Sequence, residues 1–251
     1  MTLIAIGLHS LPIELLHDIQ LYALSETLPH VSQHFYYVYK RASAFYHANY
    51  ILGRILQAGE PQIPEIYSKA LRYPLCDEKV LTAVVGLIKV RLPNRPPSSS
   101  KVQLPRRLFR DLDSDSQKSI EFLHALYRTC DIPQIDTNAN EGYALARAVH
   151  AKCVPLVKLL LEHHASPKRK DCLAVKVAIR QRSVEMVKLL VERPVDPTLP
   201  LAKKRKTGDR VELTSEMLRM AIGVGAHEVV EYLYREKSVI PDFQTLKRMG
   251  S

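Results

Sequence analysis

Residues 145–167, LARAVHAKCVPLVKLLLEHHASP, recur thirty positions later as residues 175–197, VKVAIRQRSVEMVKLLVERPVDP. The register holds without a gap. Ala148 matches Ala178, Val157 matches Val187, Leu159-Leu160 match Leu189-Leu190, and Pro167 matches Pro197. A third copy, LRMAIGVGAHEVVEYLYREKS (218–238), places Ala221 nine residues before Val230, the spacing of the first two. A weaker copy precedes them in IEFLHALYRTCDIP (120–133), followed by the finger-like IDTNANEGY (135–143). Each copy reads as a small helix around an alanine, a short polar turn, and a second helix with apolar V-x-L-L. One such pair cannot bury both of its faces, whereas stacked pairs share a continuous core. The repeat therefore predicts a helical solenoid.

Helical periodicity runs through the remainder of the chain too, and no convincing alternation of Val, Ile and Thr signals a sheet. The fold class expected is all-α. Residues 1–50 read as one helical, aromatic-rich segment and residues 51–92 as connecting helices. The stretch PNRPPSSSKVQLPRR opens a Pro/Ser/basic linker, 93–111, with a composition that does not bury a core. The repeat array then occupies 112–251. Between its second and third copies the interval grows from 30 to 43, so an insertion lies near 198–212, on a loop at one edge.

The array resembles ankyrin repeats. NEGYALARAV stands where that family has a turn glycine followed by T-A-L-x-x-A, and VKLLLEHHASP resembles its helix-and-finger ending. The family's Gly-His between helices is replaced by Lys152-Cys153 and Arg182-Ser183, and only Gly225 survives in the third copy. The resemblance implies protein recognition on the concave side, through Asn138, Asn140 and Tyr143 on the finger and His150, Arg180 and Gln181 after the first-helix alanines. Arg180 and its basic neighbours favour an acidic protein target.

At the other end, GLHSLPIELLHDIQLYAL puts Leu11, Leu15, Leu16 and Ile19 on one helical face, with Pro12 at the first turn and Ser10 as its N-cap. ETLPHVSQHFYYV supplies a second stripe of Leu28, Val31, Phe35 and Val38. The pattern LP-x-E-L-L-x-x-I followed by L-x-x-V-S-x-x-F resembles an F-box, a segment that docks on the Skp adaptor of cullin–RING ubiquitin ligases. That likeness implies adaptor contacts by Leu11, Pro12, Leu15, Leu16, Ile19, Leu28, Val31 and Phe35. Together the two resemblances imply an F-box subunit that recruits targets through its repeats. A plain ankyrin-type scaffold, capped by the same helices, and a nucleic-acid-associated protein are the other readings.

The nucleic-acid reading rests on charge. The net charge is +10, and between Lys168 and Arg210 there are 13 Lys or Arg against five Asp or Glu. Lys203, Lys204, Arg205 and Lys206 fall inside the insertion, as a solvated loop, a nuclear import signal or a phosphate-contacting patch. The tyrosines of FYYVYK with Tyr46 and Tyr50 could stack on bases, although their helical spacing favours a packed seam.

Enzyme chemistry finds no foothold: no GxGxxG, GxxxxGK[ST], GxSxG or HExxH occurs. The carboxylates of DLDSDSQKSIE (111–121) read as caps at a helix start. His150, Cys153, His163 and His164 lack the second ligand pair of a closed metal set, so no metal or other cofactor is expected. Four widely spaced cysteines without a CxxC pair, and a start without a basic leader, lead us to expect an intracellular protein of the cytoplasm or nucleus. No apolar run reaches membrane-spanning length.

Overall fold

The structure, a computed structural model, describes residues 7–93, 99–113, 117–193 and 209–243. The chain divides into two compact units, Met1–Pro105 with Phe122–Ile135, and Arg106–Glu121 with Asp136–Ser251. Helices dominate both. The described strands, β1 (Val102–Gln103) and β2 (Ile135–Asp136), have two residues each.

In the first unit, α1 (Ile13–Ala23) starts after Pro12, which takes the N-cap position in an extended conformation. Ser10 does not cap this helix. Its hydroxyl donates to the Gly7 carbonyl inside a preceding 3-10 turn, Leu8–Ser10, so Leu11 also lies ahead of α1. The helix ends at Leu24, which adopts φ 47°. The Leu24 carbonyl accepts from Arg54 Nη1 at 3.0 Å, and Arg54 also pairs with Glu26. Ser32 and Ser43 cap α2 (Gln33–Lys40) and α3 (Ala44–Gln57), each accepting from the backbone N–H three residues on. α4 (Ile63–Ala70) and α5 (Glu78–Arg91, capped by Asp77) pack on α3.

Two sequence boundaries are corrected here. Position 50 falls inside α3, so residues 1–50 and 51–92 share one unit. The segment 93–111 is not wholly a solvated linker. Val102, Leu104 and Phe109 are buried, the Val102 N–H donates to the Gln134 carbonyl at 2.9 Å, and Gln103 N–H donates to Ser68 Oγ at 2.9 Å. The alternation V-x-L after the Pro/Ser run presents Val102 and Leu104 on one face of an extended chain; the average composition of the window hid it.

The core near the N-terminus is Leu16, Phe35, Tyr39 and Tyr46, with Leu11, Leu21, Leu28, Val38 and Ala42 packed around it. The Tyr39 hydroxyl donates to the Leu16 carbonyl at 3.1 Å, and His47 Nε2 lies 2.7 Å from the Tyr39 carbonyl. Burial raises the pKa of both Tyr39 and Tyr46. The tyrosines at 39, 46 and 50 are thus a packed seam, whereas Tyr36 and Tyr37 remain exposed.

The second unit stacks helix pairs. α7 (Ala139–His150), α9 (Arg169–Arg180) and α11 (Ser215–Gly223) pack successively in an inner row, and α8 (Val154–Glu162), α10 (Val184–Val191) and α12 (His227–Glu231) in an outer row. A π-helical turn, Tyr232–Glu236, continues α12. Ala148, Ala178 and Ala221, the alanines of the repeat, are fully buried where the inner helices meet.

The turns repeat as faithfully as the helices. Asn140, Glu141 and Gly142 form a left-handed turn at φ 54°, 60° and 75°, and Lys170, Asp171 and Cys172 repeat it thirty residues later at 51°, 54° and 57°. A Cβ on Gly142 would meet Arg169 Cβ at 2.9 Å. The inter-helix turn also has positive φ in the three stronger copies: Lys152 55°, Arg182 57°, Gly225 66°. The first two copies therefore keep the turn geometry of the third without its glycine, at about 1–2 kcal/mol for each left-handed L-residue. Gly loses more chain entropy on folding, about 0.5–1 kcal/mol. We expect Lys152→Gly and Arg182→Gly each to stabilise the array by about 0.5–1 kcal/mol, read as a higher urea midpoint at unchanged slope. A loss of stability at both sites would refute this account of the turns.

Candidate protein-interaction surfaces

Helix α1 has a buried inward line and an outward apolar line side by side. Leu16 and Gln20, four residues apart, face inward and are nearly inaccessible, while Leu15, Ile19 and Tyr22 fall along a neighbouring line at i, i+4 and i+7. Leu15 is 47% exposed and Tyr22 90% exposed. Eight of the fourteen large apolar side chains that lie exposed among the described residues fall between Leu8 and Phe45: Leu8, Ile13, Leu15, Tyr22, Val31, Tyr36, Tyr37 and Phe45. Single exposed apolar groups are ordinary on a protein surface, so it is their concentration in one short segment that makes this segment a candidate interaction surface.

The residues expected to contact an adaptor divide accordingly. Pro12, Leu15 and Val31 are exposed, and Leu11, Ile19 and Leu28 are half-buried. Leu16 and Phe35 are 1% and 2% exposed, packed against Tyr39 and Tyr46, and are removed from the contact set. Adjacent helical positions differ by about 100°, so Leu15 and Leu16 cannot share a face once α2 and α3 close over one of them. Ile13, Tyr22 and Phe45 join the surface set. Tyr22 was within reach of periodicity, being seven residues after Leu15.

The inner row of the array offers a second surface. His150 and Arg180 are exposed at the ends of α7 and α9, and Arg180 lines a hollow of about 360 Å³ with Glu216, Arg219 and Met220. Lys176 is already committed. It pairs with Asp171 and with Glu216 at 3.1 Å, and the hydrogen bond to Asp171 is the main cause raising its pKa. Arg219 pairs with Asp242 at 3.7 Å. Among the described residues Arg180 has no carboxylate partner, unlike Lys176 and Arg219 beside it.

Several residues expected to bind targets hold the repeats together instead. Asn138 Nδ2 donates to the His164 carbonyl at 3.0 Å, and its Oδ1 accepts from Ser166 N–H at 2.7 Å. Thr137 Oγ1 donates to the His163 carbonyl at 2.8 Å, so one finger is laced to the next. Gln181 Nε2 donates to the His150 carbonyl at 2.8 Å, repeating the stitch one turn away. Asn140 sits in the left-handed turn, and Tyr143 carries the Arg106 guanidinium over its ring at 5.3 Å. Asn138 and Gln181 are therefore structural. Each neutral hydrogen bond contributes about 0.5–1.5 kcal/mol, so Asn138→Ala should lower array stability by about 1–3 kcal/mol in urea unfolding, well beyond the change expected at an open binding position.

Among the described residues no group of three His, Cys, Asp or Glu is placed to hold a metal, and no helix is long and apolar enough to cross a membrane. Lys203, Lys204, Arg205 and Lys206 lie outside the described residues.

A family model described as ankyrin repeats, three copies, matches residues 114–200. That span runs from the weak copy at α6 (Gln117–Arg128) through the pairs α7–α8 and α9–α10. The pair α11–α12 lies beyond it and keeps the Ala-to-Val spacing and the positive-φ turn of the others. Residues 114–200 are ankyrin repeats, a protein–protein interaction module within an all-α solenoid. No curated protein and no solved structure matches the chain.

Proposed function

We propose that the protein is a non-enzymatic recruiting adaptor. Its N-terminal segment docks on the Skp-type adaptor of a cullin–RING ubiquitin ligase, and its ankyrin array captures an acidic protein target. The observation that carries the first half is the outward stripe of α1, with Leu15 and Tyr22 in solvent beside a stripe that is already buried. A helix that only capped the array would have no use for a second apolar line. The inner row carries the second half through His150 and Arg180. Such an adaptor works inside the cell, in cytoplasm or nucleus, and needs no cofactor.

The test uses the full chain and a purified Skp-type adaptor. Wild-type protein should co-elute with it in gel filtration. Leu15→Asp, and separately Tyr22→Asp, should abolish co-elution while thermal unfolding stays unchanged, since substitutions at exposed positions stay within about 0.5 kcal/mol. Co-elution that survives both variants, or fails for the wild type, sinks the ligase reading and leaves a scaffold. Target capture is checked apart from this: Arg180→Glu should weaken it by charge repulsion without touching adaptor binding.

A further inference from the structure

The outer row carries a basic hollow of its own. It lies between α8 and α10, has a volume of about 530 Å³, and is floored by Leu161 and Leu189. Lys158, Lys188, Arg193 and Arg210 stand around it with Glu162 and Glu192. A second hollow of about 480 Å³ shares Leu161, Arg193 and Arg210 and reaches His164 and Lys168.

Pairing decides which charges are available. Lys188 is taken by Glu236 at 2.9 Å. Glu192 is taken as well: it accepts from the Tyr232 hydroxyl at 3.1 Å and pairs with Lys237 at 3.3 Å. Among the described residues this leaves Lys158, Lys168, Arg193 and Arg210 without a carboxylate partner, against Glu162 alone. Arg210 is moreover held in place. Its N–H donates to the Val191 carbonyl at 2.6 Å and its Nη1 to the Leu189 carbonyl at 3.2 Å, so the side chain is half-buried at the end of α10. Burial first, and then the charge of Arg193, lowers the Arg210 pKa. Arg193 and Arg210 line both hollows, and because Arg210 is pinned its guanidinium is in place before any anion arrives.

We propose that this outer hollow binds an anionic peptide segment, seating an apolar side chain on Leu161 and Leu189 and a carboxylate or phosphoryl group between Arg193 and Arg210. The apolar floor and the two glutamates at the rim favour a peptide over a nucleic acid, whose continuous phosphates would meet Glu162 and Glu192. The site belongs to the second-helix row, apart from Arg180 and His150 on the first, and it does not depend on adaptor docking.

Fluorescence anisotropy of the full chain tests this with three labelled peptides of sequence Gly-Leu-X-Leu-X-Gly, where X is Glu, phosphoserine or Gln. The Glu or the phosphoserine peptide should bind at least tenfold tighter than the Gln peptide; the stronger of the two identifies the anion. Arg193→Glu should erase that preference, and so should Lys158→Glu, a second exposed site kept in reserve should the first variant fail to fold. Both should leave adaptor co-elution intact, which separates this result from the ligase reading. Equal affinity for all three peptides overturns the proposal. So does an anionic preference that persists in both variants, or displacement by oligothymidylate at equal concentration, which would assign the hollow to nucleic acid.

Discussion

Leu16→Asp unfolds the N-terminal helices. Leu16 is 1% exposed and packs with Phe35, Tyr39 and Tyr46, and its carbonyl accepts the Tyr39 hydroxyl, so α1 is bound to α2 at this point by both a side chain and a backbone group. A carboxylate placed there has no cation within the cluster. Burying it unpaired costs several kcal/mol, a large part of the 5–15 kcal/mol that stabilises a typical domain. The chain has no tryptophan, so the near-ultraviolet dichroism of its tyrosines reports the packing of Tyr39 and Tyr46. That signal should fall sharply in Leu16→Asp and stay at the wild-type level in Leu15→Asp. Equal behaviour of the two variants would mean that the division of α1 into an inner and an outer stripe is wrong.

The second large effect falls in the array. Leu190 is fully buried in α10, the middle helix of the outer row, and that helix packs against α9, α8 and α12. Leu190→Ala should cost about 2–5 kcal/mol, the range for removing a leucine side chain from a closed core. In a solenoid each repeat touches only its neighbours, so a fault in the central pair weakens both flanks. Hydrogen exchange should accelerate in peptides covering α8 to α12 together. Acceleration confined to α10 would show that these pairs do not share one core.

The repeat was legible because the residues that define it, Ala148 with Ala178 and Leu160 with Leu190, are buried alike and recur in register. Burial constrains residue type, and type is what a sequence records. Backbone angle is recorded only where glycine marks it. Lys152 and Arg182 take the same positive φ as Gly225 with no sign of it in their side chains. The outward face of α1 was half legible for a related reason. Periodicity found an apolar helix in LPIELL, but the inward choice of Leu16 over Leu15 is made by Phe35 and Tyr39, which arrive from α2. Asn138 misled in the opposite direction. A polar residue on a finger invites a binding role, and both ends of its amide are spent on the neighbouring finger. The basic hollow on the outer row was only partly legible: Arg193 and Arg210 fall inside the basic window from Lys168 to Arg210, but Lys158 lies outside it and the three meet only in the fold.

The central claim is that the N-terminal surface, and not the array, meets the ligase adaptor. Hydrogen exchange of the full chain, with and without a saturating Skp-type adaptor, tests it most directly. The account predicts slower exchange in peptides spanning residues 8–45, centred on the outward stripe of Leu15 and Tyr22, with no change in those covering α7 to α12. Unchanged exchange throughout, or protection confined to the array, would contradict it.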